Sequence, residues 1–458
     1  MSALPRLAVG AVQPLADINF LVWALLDFLR AEEIEVQHFL SRACFCSRKG
    51  ALGTQGSGSR HLDSWLMDRD RSRATFWNGV QEAGFALVEG RFPTAYTAAE
   101  KDAEAAITDD CGGCRPESAG GRLDTLCDWL DLPRVAVFDV SLGDCCHGVL
   151  RRGQYDAVLL DQFKDDRDFF TWQTNLEALH GIPVIGGMPA ASETRAKLSA
   201  SRGALSAAFA PGELAQEFAL RTDVNRLLTL ACRRDYPWCE LPPLEHDSQR
   251  APIRIAMAYD EAFNCYFPDS IDALESLGAK VIDFSPLKDD ALPDDVDVVY
   301  FGCGHPERFA ERLVANQCMM QALRSFARRG GRVYAEGGGF AYLCQSIQVD
   351  ADHDYPMVGI FPAVARCNAA PRPPRPVEVT MTRTSWLGSP GTTLRGYRNE
   401  CWEFVPQRPQ VSLLGELGHE QDMFTAYQAI GSRLHLHFAA LPGFLRTFLH
   451  PSAAPSVR

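Results

Sequence analysis

The stretch that decides the fold is Arg254–Leu287, which reads RIAMAYDEAFNCYFPDSIDALESLGAKVIDFSPL. Its first residues, Arg254–Tyr259, form an apolar run of strand length. A helical pattern follows at Ser270–Leu277, and a second strand-like run follows at Lys280–Phe284. Apolar strands that alternate with helices are typical of a parallel sheet buried on both faces. The stretch therefore predicts an α/β domain.

The same alternation extends through the first half of the chain. Strand-like runs stand at Arg6–Val12, Glu82–Val88, Arg134–Val140 and Asp156–Leu160, with helical stretches between them. Between residues 232 and 252 the pattern lapses into a segment with four prolines and mixed charge, as expected of a linker. The predicted organisation is a first domain over 1–235, a linker over 236–252, a second domain over 253–450 and a disordered tail over 451–458.

Composition narrows the class of protein. The chain has 458 residues, a formal net charge of −13 and 46% hydrophobic residues. An acidic balance argues against a nucleic-acid-binding protein, which usually has a basic face. The sequence predicts no membrane span and has no secretory pattern at its start, so we expect a cytoplasmic protein. The 15 cysteines are odd in number and irregular in spacing, so we expect reduced thiols.

Two segments of the second half carry a specific resemblance. Val298–Leu313 reads VVYFGCGHPERFAERL, and Gly330–Leu343 reads GGRVYAEGGGFAYL. With Arg254–Leu287 they closely resemble the glutaminase domain of the cobyrinic acid a,c-diamide synthase family. The family has a nucleophilic cysteine within an Ala-Glu-Cys-Gly-Gly motif at a strand-to-helix turn. Glu336 matches this motif, but Gly337 occupies the position of the cysteine.

The resemblance implies roles for several other residues. His435, in Leu434–Phe438 (LHLHF), aligns with the family's catalytic base, and Gly302 and Gly304 belong to a loop resembling the family's oxyanion loop. We expect only the backbone of Cys303 in that loop to matter. Cys344 is expected in the helix after the turn, too far to replace the lost thiol. His435 and His437 would share one face of a strand, either as half of a metal site or with no remaining role.

The first half resembles the family's phosphate-binding domain, which implies a parallel-sheet, dethiobiotin-synthetase-like fold. A phosphate loop needs glycines, a lysine for the β/γ oxygens and a hydroxyl for Mg²⁺. Here GAVQPLADINF (Gly10–Phe20) places Ile18 at the lysine position and Asn19 at the hydroxyl position. ATP binding in the usual manner is therefore not expected. Lys49–Ser59 is glycine-rich but lacks the Gly-Lys-[Ser/Thr] signature, and we interpret it as a flexible loop.

Two other matches to the family and one departure from it lie along the chain. Asp63 and Trp65 stand in His61–Met67 (HLDSWLM), which resembles a motif after the family's second strand. Glu89 ends a strand-like run and is a candidate for a Mg²⁺ contact or an ordinary carboxylate. The family's His-Glu-Phe-His segment is replaced by Tyr397–Glu400 (YRNE).

Cysteine pairs leave another interpretation open. Cys111 and Cys114 form a C-x-x-C, and further thiols stand at Cys44 and Cys46 and at Cys145 and Cys146, the last pair followed by His147. Together these could bind zinc or an iron–sulfur cluster, although no second C-x-x-C at zinc-finger spacing is present.

Taken together, the sequence predicts a class I glutamine-amidotransferase-like domain joined to a degenerate phosphate-loop domain. The leading hypothesis is a divergent relative, impaired in glutamine hydrolysis and in ATP and Mg²⁺ use, that binds a tetrapyrrole as a homodimer or beside an active paralogue. The alternatives are an active amide ligase using ammonia or an altered nucleotide site, and a cysteine-based metal or redox protein.

Overall fold

The computed structural model describes residues 4–13, 16–45, 58–93, 120–143, 150, 153–200, 212–234, 252–368, 374–407, 412–417 and 420–450. The chain divides into two compact units. The first comprises residues 1–42 and 47–241, and the second comprises residues 43–46 and 242–458. Within the described residues, no helix is both long and apolar enough to cross a membrane.

The first unit is built on a sheet of seven parallel strands in the order β3-β2-β4-β1-β5-β6-β7. The strands are β1 (Arg6–Ala11), β2 (Val36–Leu40), β3 (Arg60–His61), β4 (Phe85–Arg91), β5 (Arg134–Asp139), β6 (Ala157–Phe163) and β7 (Val184–Pro189). The helices are α1 (Asn19–Ala31), α2 (Arg69–Gly79), α3 (Leu123–Leu130), α4 (Asp166–His180), α5 (Glu193–Ala200), α6 (Glu213–Arg221) and α7 (Val224–Ala231).

Residues of β1 alternate between two cores, as the two-residue period of a strand requires. Leu7, Val9 and Ala11 join a core that includes α1. Ala8 joins the other core, on the opposite face, which includes Phe76 of α2. Both faces of the sheet are therefore covered, which confirms the parallel α/β arrangement predicted for the first half.

The second unit has a mixed sheet of ten strands in the order β21-β16-β15-β18-β19-β20-β11-β10-β8-β9, and a smaller sheet in the order β13-β12-β14-β17. The strands of the parallel part are β8 (Arg254–Ala258), β9 (Lys280–Phe284), β10 (Val298–Phe301), β11 (Arg332–Glu336) and β20 (Ala429–Ser432). The others are β12 (Cys344–Gln348), β13 (Asp354–Pro356), β14 (Phe361–Cys367), β15 (Arg375–Met381), β16 (Thr393–Arg398), β17 (Trp402–Pro406), β18 (Ser412–Leu417), β19 (Glu420–Ala426) and β21 (Leu434–His435).

The helices of the second unit are α8 (Pro268–Ser276), α9 (Ala310–Ala315), α10 (Gln317–Arg328), α11 (Gly337–Leu343) and α12 (Pro442–Leu449). Strands β8 and β9 follow the strand-like runs of the sequence closely, and α8 lies where the helical pattern indicated. One detail is corrected. Cys344 does not lie in the helix after the turn, because α11 ends at Leu343 and Cys344 begins β12.

Candidate active site

The site begins at the bend between β11 and α11. Gly337 has φ +47°, in the left-handed region that residues with a Cβ rarely adopt. Gly338 packs closely against the loop after β10, because a Cβ on it would lie 2.5 Å from the carbonyl oxygen of Gly304. The bend and the loop are thus held together, and Gly337 occupies the tip of the strand-to-helix turn, as its place in the sequence indicated.

The thiol of Cys303 lies at this bend. Cys303 follows β10 and is 3% exposed, and its Sγ is 2.6 Å from Nε2 of His435. A Cβ atom added to Gly337 would lie 2.7 Å from the same sulfur. The expectation that only the backbone of Cys303 matters is therefore wrong. The side chain crosses from the neighbouring loop to the tip of the bend, and the linear sequence could not show this.

Asn399 completes the surroundings of the imidazole, a role that no sequence motif indicated. Its Nδ2 is 3.0 Å from Nε2 of His435. Its Oδ1 accepts a hydrogen bond from the backbone N–H of Cys401 at 2.7 Å, which fixes the orientation of the amide group. Because the amide nitrogen can only donate, Nε2 of His435 is the acceptor and the ring proton lies on Nδ1.

Burial sets the protonation of the pair. Desolvation lowers the pKa of His435 to about 4. It also raises the pKa of the Cys303 thiol well above its usual value; the nearby Glu336 raises it further, and a backbone hydrogen bond from Gly338 lowers it. Both groups are therefore neutral at rest, with a proton on sulfur and a lone pair on Nε2 that the N–H of Asn399 and the thiol share. This is the resting state of a nucleophile with its general base.

Glu336 lies directly before the bend and is 2% exposed. It accepts hydrogen bonds from the hydroxyl of Tyr334 at 2.8 Å and from the backbone N–H of Leu436 at 3.2 Å. Burial outweighs these bonds and raises the pKa of its carboxyl to about 8. Glu336 thus joins the strand that carries the bend to the segment that carries His435.

The structure places the other expected residues of this unit differently. Gly302 donates its N–H to the hydroxyl of Tyr266 at 2.9 Å, so that N–H already has an acceptor. Gly304 lies under the loop of Ala262, whose carbonyl oxygen would be 2.0 Å from an added Cβ. His437 does not share a strand face with His435, because β21 ends at His435.

His437 instead packs against Phe267, with ring centroids 4.9 Å apart, and lies 3.7 Å from Asp269. Among the described residues, no group of three or more His, Cys, Asp or Glu side chains is arranged to hold a metal ion. The segments that carry Cys46, Cys111, Cys114, Cys145, Cys146 and His147 lie outside the described residues, as do residues 49–57 of the glycine-rich stretch.

In the first unit, the residues at the phosphate-loop positions do not fit a nucleotide. Ile18 is 6% exposed and belongs to the hydrophobic core, together with Ala16 and Phe20. The guanidinium of Arg91 donates to the carbonyl oxygens of Gln13, at 3.5 Å, and of Ala16, at 3.2 Å. A phosphate cradle needs converging N–H groups, whereas here an arginine holds carbonyl groups. Pro14 lies outside the described residues.

Further contacts hold the same loop in place. The side chain of Gln13 makes two hydrogen bonds to the backbone of Asp139, at 2.8 Å and 2.7 Å. The side chain of Asn19 donates to Asp17, so the hydroxyl position of the family holds an amide with a protein partner. The side chains of Gln13 and Asn19 thus bond to other groups of the protein.

The remaining first-unit candidates have structural partners. Asp63 is fully buried and accepts hydrogen bonds from the backbone N–H groups of Trp65, at 2.9 Å, and Leu66, at 3.2 Å, which holds its own turn. Glu89 is 2% exposed and contacts Nε2 of His38 at 3.1 Å. The Mg²⁺ role of Glu89 stays a prediction, with His38 as a competitor for its carboxylate.

Comparisons with known proteins identify the relatives of this chain. Residues 254–442 match the family described as CobB/CobQ-like glutamine amidotransferase domain. The cobyrinate a,c-diamide synthase of Syntrophotalea carbinolica is 27% identical over 97% of this chain and 98% of its own length. That of Salmonella typhimurium is 26% identical over 93% of each chain.

Over nearly its whole length the chain is thus similar to cobyrinate a,c-diamide synthases, as a divergent relative of that family would be. A solved glutamine amidotransferase resembles the chain at 16% identity and a TM-score of 0.35, covering 43% of this chain and 96% of that one. The resemblance predicted from the motifs is confirmed, and so is the fold class. The two domain boundaries predicted from the sequence stay predictions, since residues 235–251 lie outside the described part.

Proposed function

We propose that this family member binds a tetrapyrrole of the cobyrinate type without activating it with ATP in the manner of its relatives. The closed phosphate loop carries this proposal, since Ile18 is packed into the core and Arg91 holds the carbonyl groups of Gln13 and Ala16. In the family, ATP converts a carboxylate into an acyl phosphate, which ammonia then displaces. That first step uses a lysine and a hydroxyl at positions that here hold Ile18 and Asn19, so we expect it to be lost.

The tetrapyrrole part of the proposal is supported by the length of the match. Relatives named cobyrinate a,c-diamide synthase align over nearly the whole chain, the first unit included. The parallel sheet of that unit is intact although the phosphate loop is not. Because the sheet is formed although the phosphate-loop residues differ from those of the family, we infer that the first unit serves to bind a ligand other than a nucleotide.

Two titrations of the full chain test the proposal. Calorimetry with ATP and Mg²⁺ at up to millimolar concentration should show no binding. Cobyrinic acid, followed by the change in its visible absorption, should bind at micromolar concentration. Binding of ATP, or failure to bind cobyrinic acid, would contradict it.

The alternative is an active amide ligase that uses free ammonia or an altered nucleotide site. The observation in its favour is Glu89, a buried carboxylate kept at the end of β4 in contact with His38. Incubation with cobyrinic acid, ATP, Mg²⁺ and ammonium, followed by mass spectrometry for the amide, distinguishes the two. Amide formation would favour the ligase.

Partnership is a further part of the proposal. A protein that binds the substrate without activating it would act beside a family member that can, or as a homodimer, in the cytoplasm. Light scattering of the protein alone, and then mixed with an active cobyrinate a,c-diamide synthase, tests both forms. The cysteine-based metal site also stays a proposal, and metal analysis of untagged protein should find near-stoichiometric zinc or iron if it exists.

A further inference from the structure

We propose that the second unit hydrolyses the side-chain amide of glutamine, with Cys303 as the nucleophile and His435 as its base. The thiol of Cys303 comes from the loop after β10, whereas the family's nucleophilic thiol stands at the bend itself, at the position of Gly337. This activity goes beyond the proposed function and needs neither ATP nor a tetrapyrrole, so the two can fail separately.

The position of the sulfur is the first support. A Cβ on Gly337 would lie 2.7 Å from Sγ of Cys303, 2.9 Å from Nδ2 of Asn399 and 3.4 Å from Nε2 of His435. The sulfur from the loop therefore fills the space in which a side chain at the bend would begin. It meets the imidazole at 2.6 Å. Nucleophile and base within hydrogen-bond reach are the geometric requirement for nucleophilic catalysis.

The tautomer of His435 is the second support. Asn399 donates to Nε2, and its own oxygen is held by the N–H of Cys401. Nε2 is therefore the unprotonated nitrogen, as a general base requires, and the thiol lies 2.6 Å from it. The hydrogen bond from Asn399 shares that lone pair, so it must lengthen as the proton moves from sulfur to Nε2. Asn399 is thus a positioning residue that acts through the imidazole. The bend contributes the backbone N–H of Gly338, which donates a hydrogen bond to the sulfur of Cys303 and stabilises its thiolate form.

The reaction balances without any further reagent. The proton of Cys303 passes to Nε2 of His435 as the sulfur attacks the amide carbon of glutamine. The carbon–nitrogen bond breaks, and the nitrogen leaves as ammonia with the proton from His435. Water, deprotonated by His435, then attacks the thioester, the carbon–sulfur bond breaks and the thiolate recovers the proton. The products are glutamate and ammonia.

The surroundings of the pair set the expected rate. His435 is 1% exposed. Phe45, which belongs to the second unit, packs beside it: the ring centroids of Phe45 and His435 are 5.5 Å apart, and those of Phe45 and Phe267 are 4.5 Å apart. Burial keeps the thiol and imidazole neutral, so each turnover begins with a proton transfer in an apolar site. We therefore expect slow but measurable hydrolysis.

The test measures glutamate released from glutamine by the purified full-length protein under reducing conditions. The wild type should turn over, Cys303→Ala should lose at least about 100-fold in kcat/KM, and His435→Gln should lose a similar factor. Cys344→Ala removes another fully buried thiol, at the far end of the helix that follows the bend, and should keep the wild-type rate. Exposed Cys318→Ala is a second control.

A covalent label gives an independent measurement. A glutamine analogue with a diazoketone in place of the amide should alkylate Cys303, as located by peptide mass spectrometry, and should not label Cys303→Ala. No hydrolysis by the wild type, equal hydrolysis by Cys303→Ala, or labelling of a different cysteine would each overturn the proposal. Cys303→Ala should still bind cobyrinic acid, so this variant separates failure of the glutaminase from failure of the proposed function.

Discussion

At the scale of single residues, Cys303 and Gly337 depend on each other. The sulfur of Cys303 lies where the first atom of a side chain at position 337 would be. Two thiols therefore cannot occupy the bend without displacement of one of them. The glycine at the bend and the cysteine in the loop form a pair, and the effect of changing either one depends on the other.

We expect Gly337→Cys alone to destabilise the protein by about 2 kcal/mol, because it overpacks a closed site. The double variant Gly337→Cys with Cys303→Gly should recover much of this loss, since the second change removes the clashing sulfur. Urea unfolding of the wild type, both single variants and the double variant, all with a reductant, measures the coupling. Additive effects would show that the two side chains do not compete for one space.

A second prediction concerns pH. Burial raises the pKa of Glu336 from its usual 4.5 to about 8, so its contribution to stability is largest below pH 4.5 and is lost as pH rises to about 8. The pKa of His435 is about 4 instead of 6.5, so its contribution is present above 6.5 and is lost as pH falls to about 4. Between 4.5 and 6.5 the two effects oppose each other.

The variant Glu336→Gln separates the effect of Glu336 from that of His435, because glutamine does not titrate while its oxygen can still accept the same two hydrogen bonds. Relative to the wild type, its free energy of unfolding should gain on the order of a few kcal/mol between pH 6.5 and 8. Below pH 6.5 the loss from His435 should become visible. Denaturant unfolding across this pH range measures the free energy of unfolding of both proteins. If this free energy changed with pH in the same way in both, the raised pKa of Glu336 would be contradicted.

These residues also show how far a sequence can lead. Gly337 and His435 could be placed because each stands inside a motif whose neighbours match the family. The thiol of Cys303 could not, since it reaches Gly337 from another loop and the distance across two loops is set only when the chain folds. The role of Asn399 could not be predicted either, because Asn399 stands in a segment whose sequence departs from that of the family.

At the scale of elements, β16 and β19 are joined by a buried ion pair. Arg398 and Asp422 are 1% and 0% exposed, with two nitrogen–oxygen contacts of 2.6 Å. Arg398 immediately precedes Asn399, so this pair fixes the segment that carries the amide facing His435. The geometry is the bidentate one that a guanidinium and a carboxylate prefer.

Asp422→Ala should cost about 3–5 kcal/mol, because it leaves a buried guanidinium unpaired. Arg398→Met with Asp422→Leu should cost much less, since no charge remains buried. Thermal or urea unfolding compares them. If the single and double variants were equally unstable, the loss would come from packing and not from the uncompensated charge.

Strands and helices were the part of the fold that sequence patterns predicted best. The runs at Arg134–Val140 and Lys280–Phe284 were placed within a residue or two. The first is buried along most of its length and therefore reads as a nearly continuous apolar run. The second forms an edge strand, and its β-branched Val281 and Ile282 indicated it. The short β21 was different. Two residues are too few for a period, and the LHLHF pattern suggested a longer strand than the one formed.

At the scale of the whole molecule, each unit has its own hydrophobic cores. Ile18 belongs to a core of the first unit, whereas Cys303 and His435 belong to the second unit. The chemistry proposed for the second unit should therefore be insensitive to substitutions at the former phosphate loop.

Ile18→Lys restores the family's residue at that position, yet it should not restore ATP binding. The lysine would replace a core side chain, and Arg91 would still hold the neighbouring carbonyl groups. We expect a loss of about 3 kcal/mol in the stability of the first unit and unchanged glutaminase activity at a temperature where the protein is folded. Calorimetry with ATP, thermal unfolding and glutamine hydrolysis give the three readings. Micromolar ATP binding by this variant would show that the loop is open.

The proximity of positions 303 and 337 also constrains the history of this protein. If the ancestor carried its cysteine at the bend, any stepwise route to the present arrangement passed through a chain with two crowded thiols or through a chain with neither. The first would be strained and the second inert. The way back meets the same two intermediates, so the present arrangement, once reached, resists reversion by single substitutions.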